Sequence, residues 1–306
     1  MEYIIIIFAV VIIIILLSYF VFKKVFYVRK RRKYFDEEYL RARFKVNDYE
    51  NAINWLDKQE TEGVSITSFD GLKLCARYIK KKLSNNKIVI LVHGYRSNSN
   101  RMLELAKMYY EKFNCDVLLI DLRAHGLSEG KYIGMGTVDS KDLIGWINYL
   151  NLKGNSQIIL HGFSMGAATI MSISDLNLKN LSLIVEDCGF ASAKEEFFYK
   201  MKQEVFIPAW ILYPLVSLFC KIKIGFYLKE CDPIDHVKNS IYPMLFIHGN
   251  DDTFVPVKFA YELYNVCPSS KDILIVDKAA HTLAYRVNSK AYEEKISDSI
   301  NKYLKN

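Results

Sequence analysis

The chain offers little from which to build a covalent or metal-held framework. Its six cysteines, Cys75, Cys115, Cys188, Cys220, Cys231 and Cys267, stand far apart with no CxxC pair among them. Scattered thiols of this kind read as free and buried or half-buried, compatible with a reducing compartment. The six histidines show no ligand spacing with them, so no zinc site is expected. No repeat and no low-complexity tract is present. A basic surplus is missing where nucleic-acid binding would need one: of the formal net charge of +7, residues 1–45 hold ten Lys and Arg against four acidic residues, and the rest of the 306-residue chain holds 31 against 30. A nearly neutral body argues against a nucleic-acid-binding face. At 51% hydrophobic and 25% charged residues, the length suits one large globular domain with a short accessory segment.

That segment lies at the amino terminus. Tyr3 to Phe22 is a run of 20 residues broken only by Ser18. As a helix rising about 1.5 Å per residue it spans roughly 30 Å, the thickness of a bilayer core. The marks of a cleaved leader are absent: no basic residue precedes the run and no small-x-small site follows it. A membrane anchor over residues 1–22 is expected. Lys23, Lys24, Arg29, Lys30, Arg31, Arg32 and Lys33 follow, and such flanks stay in the cytoplasm, which places the amino terminus outside and the body inside. The same cations would lie against anionic headgroups. Residues 23–60 then form a basic juxtamembrane segment and a connector, in which Tyr49, Ile53 and Leu56 recur at helical spacing after Asp48.

The rest of the chain is organised around Ile158 to Met171. An apolar run, Ile158-Ile159-Leu160, reads as a buried strand, and Ala167-Ala168 with Ile170 and Met171 reads as a helix. Between them stands Gly162-Phe163-Ser164-Met165-Gly166. A strand that turns abruptly into a helix strains the corner residue and pushes its side chain clear of the sheet. Glycines two residues to either side remove the side chains that would clash. The G-x-S-x-G corner therefore exposes one hydroxyl where a substrate carbonyl can reach it.

Val64 to Phe69 and Leu72 to Ile79 are β-rich runs around Asp70-Gly71, a two-residue hairpin signature. Six short apolar runs follow, Lys87–Val92, Asp116–Asp121, Ser156–Gly162, Leu181–Glu186, Pro243–His248 and Lys271–Val276. They mostly alternate with helical stretches such as Arg101–Lys112 and Asp139–Leu150. Strands apolar on both faces and joined through helices imply a parallel sheet covered on both sides. Near the carboxyl end, Tyr292, Ile296, Ile300 and Tyr303 mark one face of a final helix over Ser289 to Leu304.

With a leading hairpin, a parallel sheet and the serine corner, residues 60–306 resemble the α/β-hydrolase superfamily, in particular its membrane-tethered bacterial, serine aminopeptidase-like and monoacylglycerol-lipase-like branches. The motifs fall in the family's chain order: Leu91-Val92-His93-Gly94-Tyr95, Asp121-Leu122-Arg123-Ala124-His125-Gly126-Leu127-Ser128, the serine corner, His248-Gly249-Asn250-Asp251-Asp252-Thr253-Phe254-Val255-Pro256, and His281. The resemblance implies an α/β fold, mostly parallel with an antiparallel amino-terminal hairpin, over residues 61–306, with a helical lid at about 191–241.

It also implies roles. A serine hydroxyl is a poor nucleophile until a base removes its proton, and an imidazole is suited to that task near neutral pH. His281 alone follows the acid in the Ser, acid, His order, although Ala279-Ala280 lacks the glycine often found before it in the family. The HGxxDxxVP pattern makes Asp252 the acid that orients the imidazole, with neighbouring Asp251 supporting the turn and Asp187 in reserve. Charge developing on the carbonyl oxygen needs donors already in place, and the family's oxyanion hole maps onto the backbone N–H groups of Met165 and Tyr95. His93 and His125 are expected to brace loops, and His161 to neighbour the corner. No metal and no organic cofactor is called for.

About fifty residues separate the sixth strand from Pro243, where the bare fold needs one crossover helix. Phe197, Phe198, Tyr199, Phe206, Trp210, Tyr213, Phe219, Phe226 and Tyr227 crowd its middle, and Pro208 and Pro214 are expected to break it into short helices. Most of these aromatics would form the lid's own small core. A lid this apolar on a bilayer-tied enzyme favours a lipophilic acyl substrate over a sugar or nucleotide. The expected activity is cleavage of an ester, thioester or amide through an acyl-enzyme. A peptidase or aminopeptidase of the same fold, and a catalytically silent membrane-tethered binding module, remain open at this point.

Overall fold

The computed structural model describes residues 1–28, 46–81, 86–155, 157–204 and 207–304. The basic run Arg29 to Lys33, together with Tyr49's side chain, Ser156 and Phe206, falls outside them. Helix α1 (Glu2–Phe26) is followed by α2 (Val46–Leu56) and the hairpin β1 (Thr61–Thr67) and β2 (Lys73–Ile79). Then come β3 (Lys87–Val92), α3 (Leu103–Lys112), β4 (Asp116–Ile120), α4 (Thr137–Leu152), β5 (Gln157–Phe163), α5 (Met165–Met171) and β6 (Leu181–Asp187). The insertion holds α6 (Ala193–Glu204), α7 (Ala209–Ile224) and α8 (Pro233–Val237). The chain closes with β7 (Met244–Gly249), α9 (Lys258–Val266), β8 (Lys271–Val276), α10 (Ala284–Val287) and α11 (Ser289–Tyr303).

One eight-stranded sheet runs in the order β1-β2-β4-β3-β5-β6-β7-β8. Pairing is antiparallel for β1 with β2 and β2 with β4, and parallel from β4 through β8. The alternation of side chains along each strand explains the continuous apolar runs. Ile88, Ile90 and Val92 of β3 join Leu118, Ile158, Leu160 and Phe246 in one core with Trp146, while Val89 and Leu91 join Val117, Ile159, Val185 and Ile247 in the other with Tyr109 and Tyr292. Tyr292, Ile296 and Ile300 of α11 are buried in this second core, on the face their spacing indicated. Among the described side chains of α2, Ala52 and Trp55 are buried, with Ile53 and Leu56 half-buried beside them.

Two local details differ from expectation. The hairpin loop is longer than two residues: Ser68 N–H donates to Leu72 O, leaving Phe69-Asp70-Gly71 as the loop, with Gly71 at φ 88°. The reason is that Ser68 Oγ donates to Asp70 and accepts from Leu72 N–H, which holds the longer closure. Pro208 does begin a helix, but Pro214 does not break it, and α7 continues for 16 residues. A proline in the second turn removes the bond to the carbonyl four residues earlier and crowds that carbonyl, a local cost that can be offset by packing. Burial of Leu212, Val216 and Cys220 keeps the helix whole.

Helix α1 is long and apolar enough to cross a membrane, and most of its side chains from Tyr3 to Leu17 are exposed. Its carboxyl end behaves differently. Phe22 and Phe26 are buried in the core of the body, and Phe22 packs on Phe219 of α7 and on Tyr132.

Candidate active site

Ser164 occupies the corner between β5 and α5, with φ 54° and ψ −116°. An L-residue reaches that region only when surrounding contacts force it. Ser164 N–H donates to Asp187 O on the neighbouring strand, and Ser164 O accepts from Ala168 N–H in the helix. Both flanking glycines are required by space: a Cβ on Gly162 would lie 2.5 Å from the backbone of Gly166, and one on Gly166 would lie 2.2 Å from Val92 O. The helix can therefore start directly against β3.

Asp252 and His281 come from the loops after β7 and β8. Those loops are laced together: Asn250 Nδ2 donates to Asp277, Lys278 N–H donates to Asn250 Oδ1, and Asp251 N–H donates to Ala279 O. This brings His281 Nδ1 to 2.7 Å from Asp252 Oδ2 and His281 Nε2 to 3.0 Å from Ser164 Oγ. With Nδ1 donating to the carboxylate, Nε2 is left to accept the serine proton. The other oxygen, Asp252 Oδ1, accepts from the N–H groups of Phe254 and Val255. Burial acts to raise the Asp252 carboxyl, but hydrogen bonds from His248 and His281 outweigh it and hold the group well below the usual carboxylate range. The Phe254 ring lies 4.9 Å from the imidazole of His281, and Lys200 of α6 lies over that ring.

The loop after β3 passes the serine closely: a Cβ on Gly94 would stand 3.2 Å from Phe163 O and 3.3 Å from Ser164 Cβ. Tyr95 follows it directly. Met165 is the first residue of α5, where an N–H has no acceptor within its own helix. His93 and His125 fasten this loop to the one after β4, since His93 Nε2 accepts from Leu122 N–H and His125 Nε2 accepts from Arg96 N–H, each at 3.1 Å. Burial lowers them to about 4 and about 3, so both imidazoles stay neutral and remain acceptors.

Asp187 is not brought to His281. Burial raises it to about 7, and it accepts from Tyr292 Oη at 2.7 Å. Tyr292 in turn faces His161, whose other nitrogen faces Tyr109 Oη, a buried chain beneath the serine corner. Asp251 is exposed. Sequence reasoning gave no role to His248, which is fully buried and lies 3.3 Å from Asp252 Oδ2 with Nε2 also 2.9 Å from Val255 O. Its position four residues before the acid was the available signal.

Among the described residues, Cys188, Asp252 and His281 could bring three donor atoms within 4.8 Å of one another. They do not suit a cation. Both ring nitrogens of His281 are engaged, and burial pushes the Cys188 thiol far from the thiolate a metal would need.

Residues 84–212 match the family model for serine aminopeptidase, S33. The esterase Pf2001 of Pyrococcus furiosus superposes with a TM-score of 0.64 at 25% identity, covering 81% of this chain and 94% of that one. The chain belongs to the α/β-hydrolase superfamily. Among curated proteins, this α/β-hydrolase is 29% identical over 213 residues to the uncharacterized protein YqkD of Bacillus subtilis, covering 69% of this chain and 70% of that protein. It is 23% identical over 227 residues to YNL320W of Saccharomyces cerevisiae, described as an uncharacterized membrane protein, covering 72% of this chain and 75% of that one.

Proposed function

We propose that this α/β-hydrolase is a membrane-anchored serine hydrolase that cleaves an ester, thioester or amide of a lipophilic acyl substrate. The observation that carries the reading is the unbroken run of hydrogen bonds from Asp252 through His281 to Ser164 Oγ. As Ser164 Oγ attacks the acyl carbon, its proton passes to His281 Nε2, and the carbonyl π pair moves to oxygen. The N–H groups of Tyr95 and Met165 stabilise that oxyanion. When the carbonyl reforms, the bond to the leaving group breaks, and the imidazolium returns its proton to the departing oxygen, sulfur or nitrogen. Water then attacks the acyl-enzyme with the same imidazole as base, releasing the acid and restoring the serine.

The division of labour along the chain fits this reading: an anchor in residues 1–22, a connector to residue 60, and a catalytic body from 61 to 306 with its lid at about 191–241. The basic flank favours a cytoplasmic body. Exposed Trp210, Leu218 and Ile222 on α7, beside a helix able to cross a bilayer, favour a lipophilic substrate. The match to a serine aminopeptidase model over residues 84–212 favours a second reading, release of an amino acid from an amide, which the same residues can perform.

Ser164→Ala is expected to abolish hydrolysis of a short acyl ester and labelling by a serine-directed fluorophosphonate, with the circular dichroism spectrum unchanged. Turnover retained by that variant rejects the assignment. A panel of acyl esters against aminoacyl amides separates the two substrate readings, and labelling of intact against permeabilised cells reads the side of the membrane.

A further inference from the structure

The last turn of a helix leaves its final four carbonyls without N–H partners from the same helix. In α1 those carbonyls belong to Lys23, Lys24, Val25 and Phe26, and the body of the enzyme supplies three of the four donors. Lys23 O accepts from Tyr27 N–H, Lys24 O accepts from the Arg96 guanidinium, Val25 O accepts from Tyr95 Oη at 2.7 Å, and Phe26 O accepts from Ile133 N–H at 2.9 Å. Val28 N–H then donates to Lys131 O, and Tyr27 bridges Tyr132 in antiparallel register. The helix end carries partial negative charge, which suits the cationic Arg96.

Two of these donors sit on the loop that lies against Ser164. Gly94 is pressed on the serine, and Tyr95 and Arg96 are the next residues. Arg96 holds a positive φ of 50°, its N–H is tied to His125 on one side, and its guanidinium, which also lies 5.1 Å over the Tyr95 ring, is tied to α1 on the other. Apolar packing of Phe22 and Phe26 alone would dock the helix. The polar bonds add something packing does not, because they fix Tyr95 and Arg96, the two residues after Gly94, and the Tyr95 N–H lies in the Gly94–Tyr95 peptide, between the residue pressed on the serine and the first of these anchors.

We propose that the carboxyl end of α1 is a positioning element of the oxyanion hole: the carbonyls of Lys24 and Val25 hold the side chains of Arg96 and Tyr95, and thereby set the direction of the Tyr95 N–H. Tyr95 is a positioning residue through its phenol as well as a donor through its backbone. The membrane helix is thus part of the catalytic apparatus, and competence depends on its being docked. This rests on the acyl-transfer reading above.

The test uses the full chain in phosphatidylcholine nanodiscs with p-nitrophenyl butyrate, with active sites counted by fluorophosphonate. Tyr95→Phe deletes only the phenolic hydroxyl and keeps the ring and the N–H. Removing an oxyanion donor outright costs about 10²–10³ in kcat, so misdirecting one is expected to lower kcat by about tenfold or more while KM stays within about twofold. Phe22→Leu, which loosens the helix without touching the loop, is expected to lower kcat in the same selective way. A Tyr95→Phe enzyme with wild-type kcat, or either variant changing only the melting temperature, overturns the inference while leaving the proposed reaction intact. A wild-type protein that neither turns over ester nor takes the label overturns both.

Discussion

At the scale of single residues, two buried aspartates stand near the serine corner and their surroundings give them different work. Asp252 receives backbone N–H groups on one oxygen and histidines on the other, and stays ionised. Asp187 has burial against it and one tyrosine for it. Asp252→Asn is therefore expected to lower kcat by about 10⁴, because an amide facing Nδ1 favours the wrong tautomer of His281. Asp187→Asn should lower the denaturation midpoint and leave kcat largely intact, and the reverse pattern in the two purified variants would exchange their roles. Which aspartate faces the imidazole was legible, since Asp252 sits at a fixed place in a short motif. The work of His248 and the chain Tyr109, His161, Tyr292 and Asp187 was not, because it joins residues from β5, β6, α3 and α11 that are brought together only by packing.

At the scale of elements, the apolar runs announced β3 to β8 because strands covered on both faces need no polar alternation. Their lateral order was hidden, since nothing within Asp116–Ile120 says that β4 lies between β2 and β3. Pro214 misled for a related reason: local propensity argues for a break, and tertiary burial of α7 overrides it. The docked end of α1 escaped notice because Phe22 looks like any other residue of the long apolar run and Phe26 stands just beyond it within the basic flank. One contact between elements is tight enough to predict from. Gly166→Ala drives a Cβ to 2.2 Å from a β3 carbonyl that cannot move away, so α5 must shift off the sheet. A loss of about 3 kcal/mol or more is expected in urea denaturation. Gly145→Ala in α4 meets only the tip of Ile66 at 3.0 Å and gains helix propensity, so it should be close to neutral. Equal midpoints for the two variants would contradict the geometry.

At the scale of the whole molecule, the buried titratable groups set how stability depends on pH, and two populations act in opposite directions. His93, His125 and His161 are lowered by burial to between about 3 and about 4, so between those values and the unfolded value of about 6.5 the unfolded chain binds the extra protons. Their contribution is present above pH 6.5 and is lost as pH falls. Burial raises Asp139 to about 6, Asp187 to about 7, and Glu186 and Glu196 to about 8, so here the folded protein holds the extra protons. Their contribution is present below the unfolded value of about 4 and is lost as pH rises through the folded values. Between about pH 4.5 and 6.5 the two sets oppose each other. Above 6.5 the histidines have finished, while Asp187, Glu186 and Glu196 still release protons on unfolding. His248 adds to this side, because Asp252 and Glu186 raise it despite its burial. The melting temperature of the full chain in detergent is therefore expected to fall between about pH 6.5 and 8.5. Glu196→Gln, in α6, should make that decline shallower by removing one of the three acids. A melting temperature that rises with pH across the window would show that these carboxyls are already ionised in the folded protein. Asp252 stays ionised throughout the same window, so the decline is one of stability and leaves the charge that orients His281 in place.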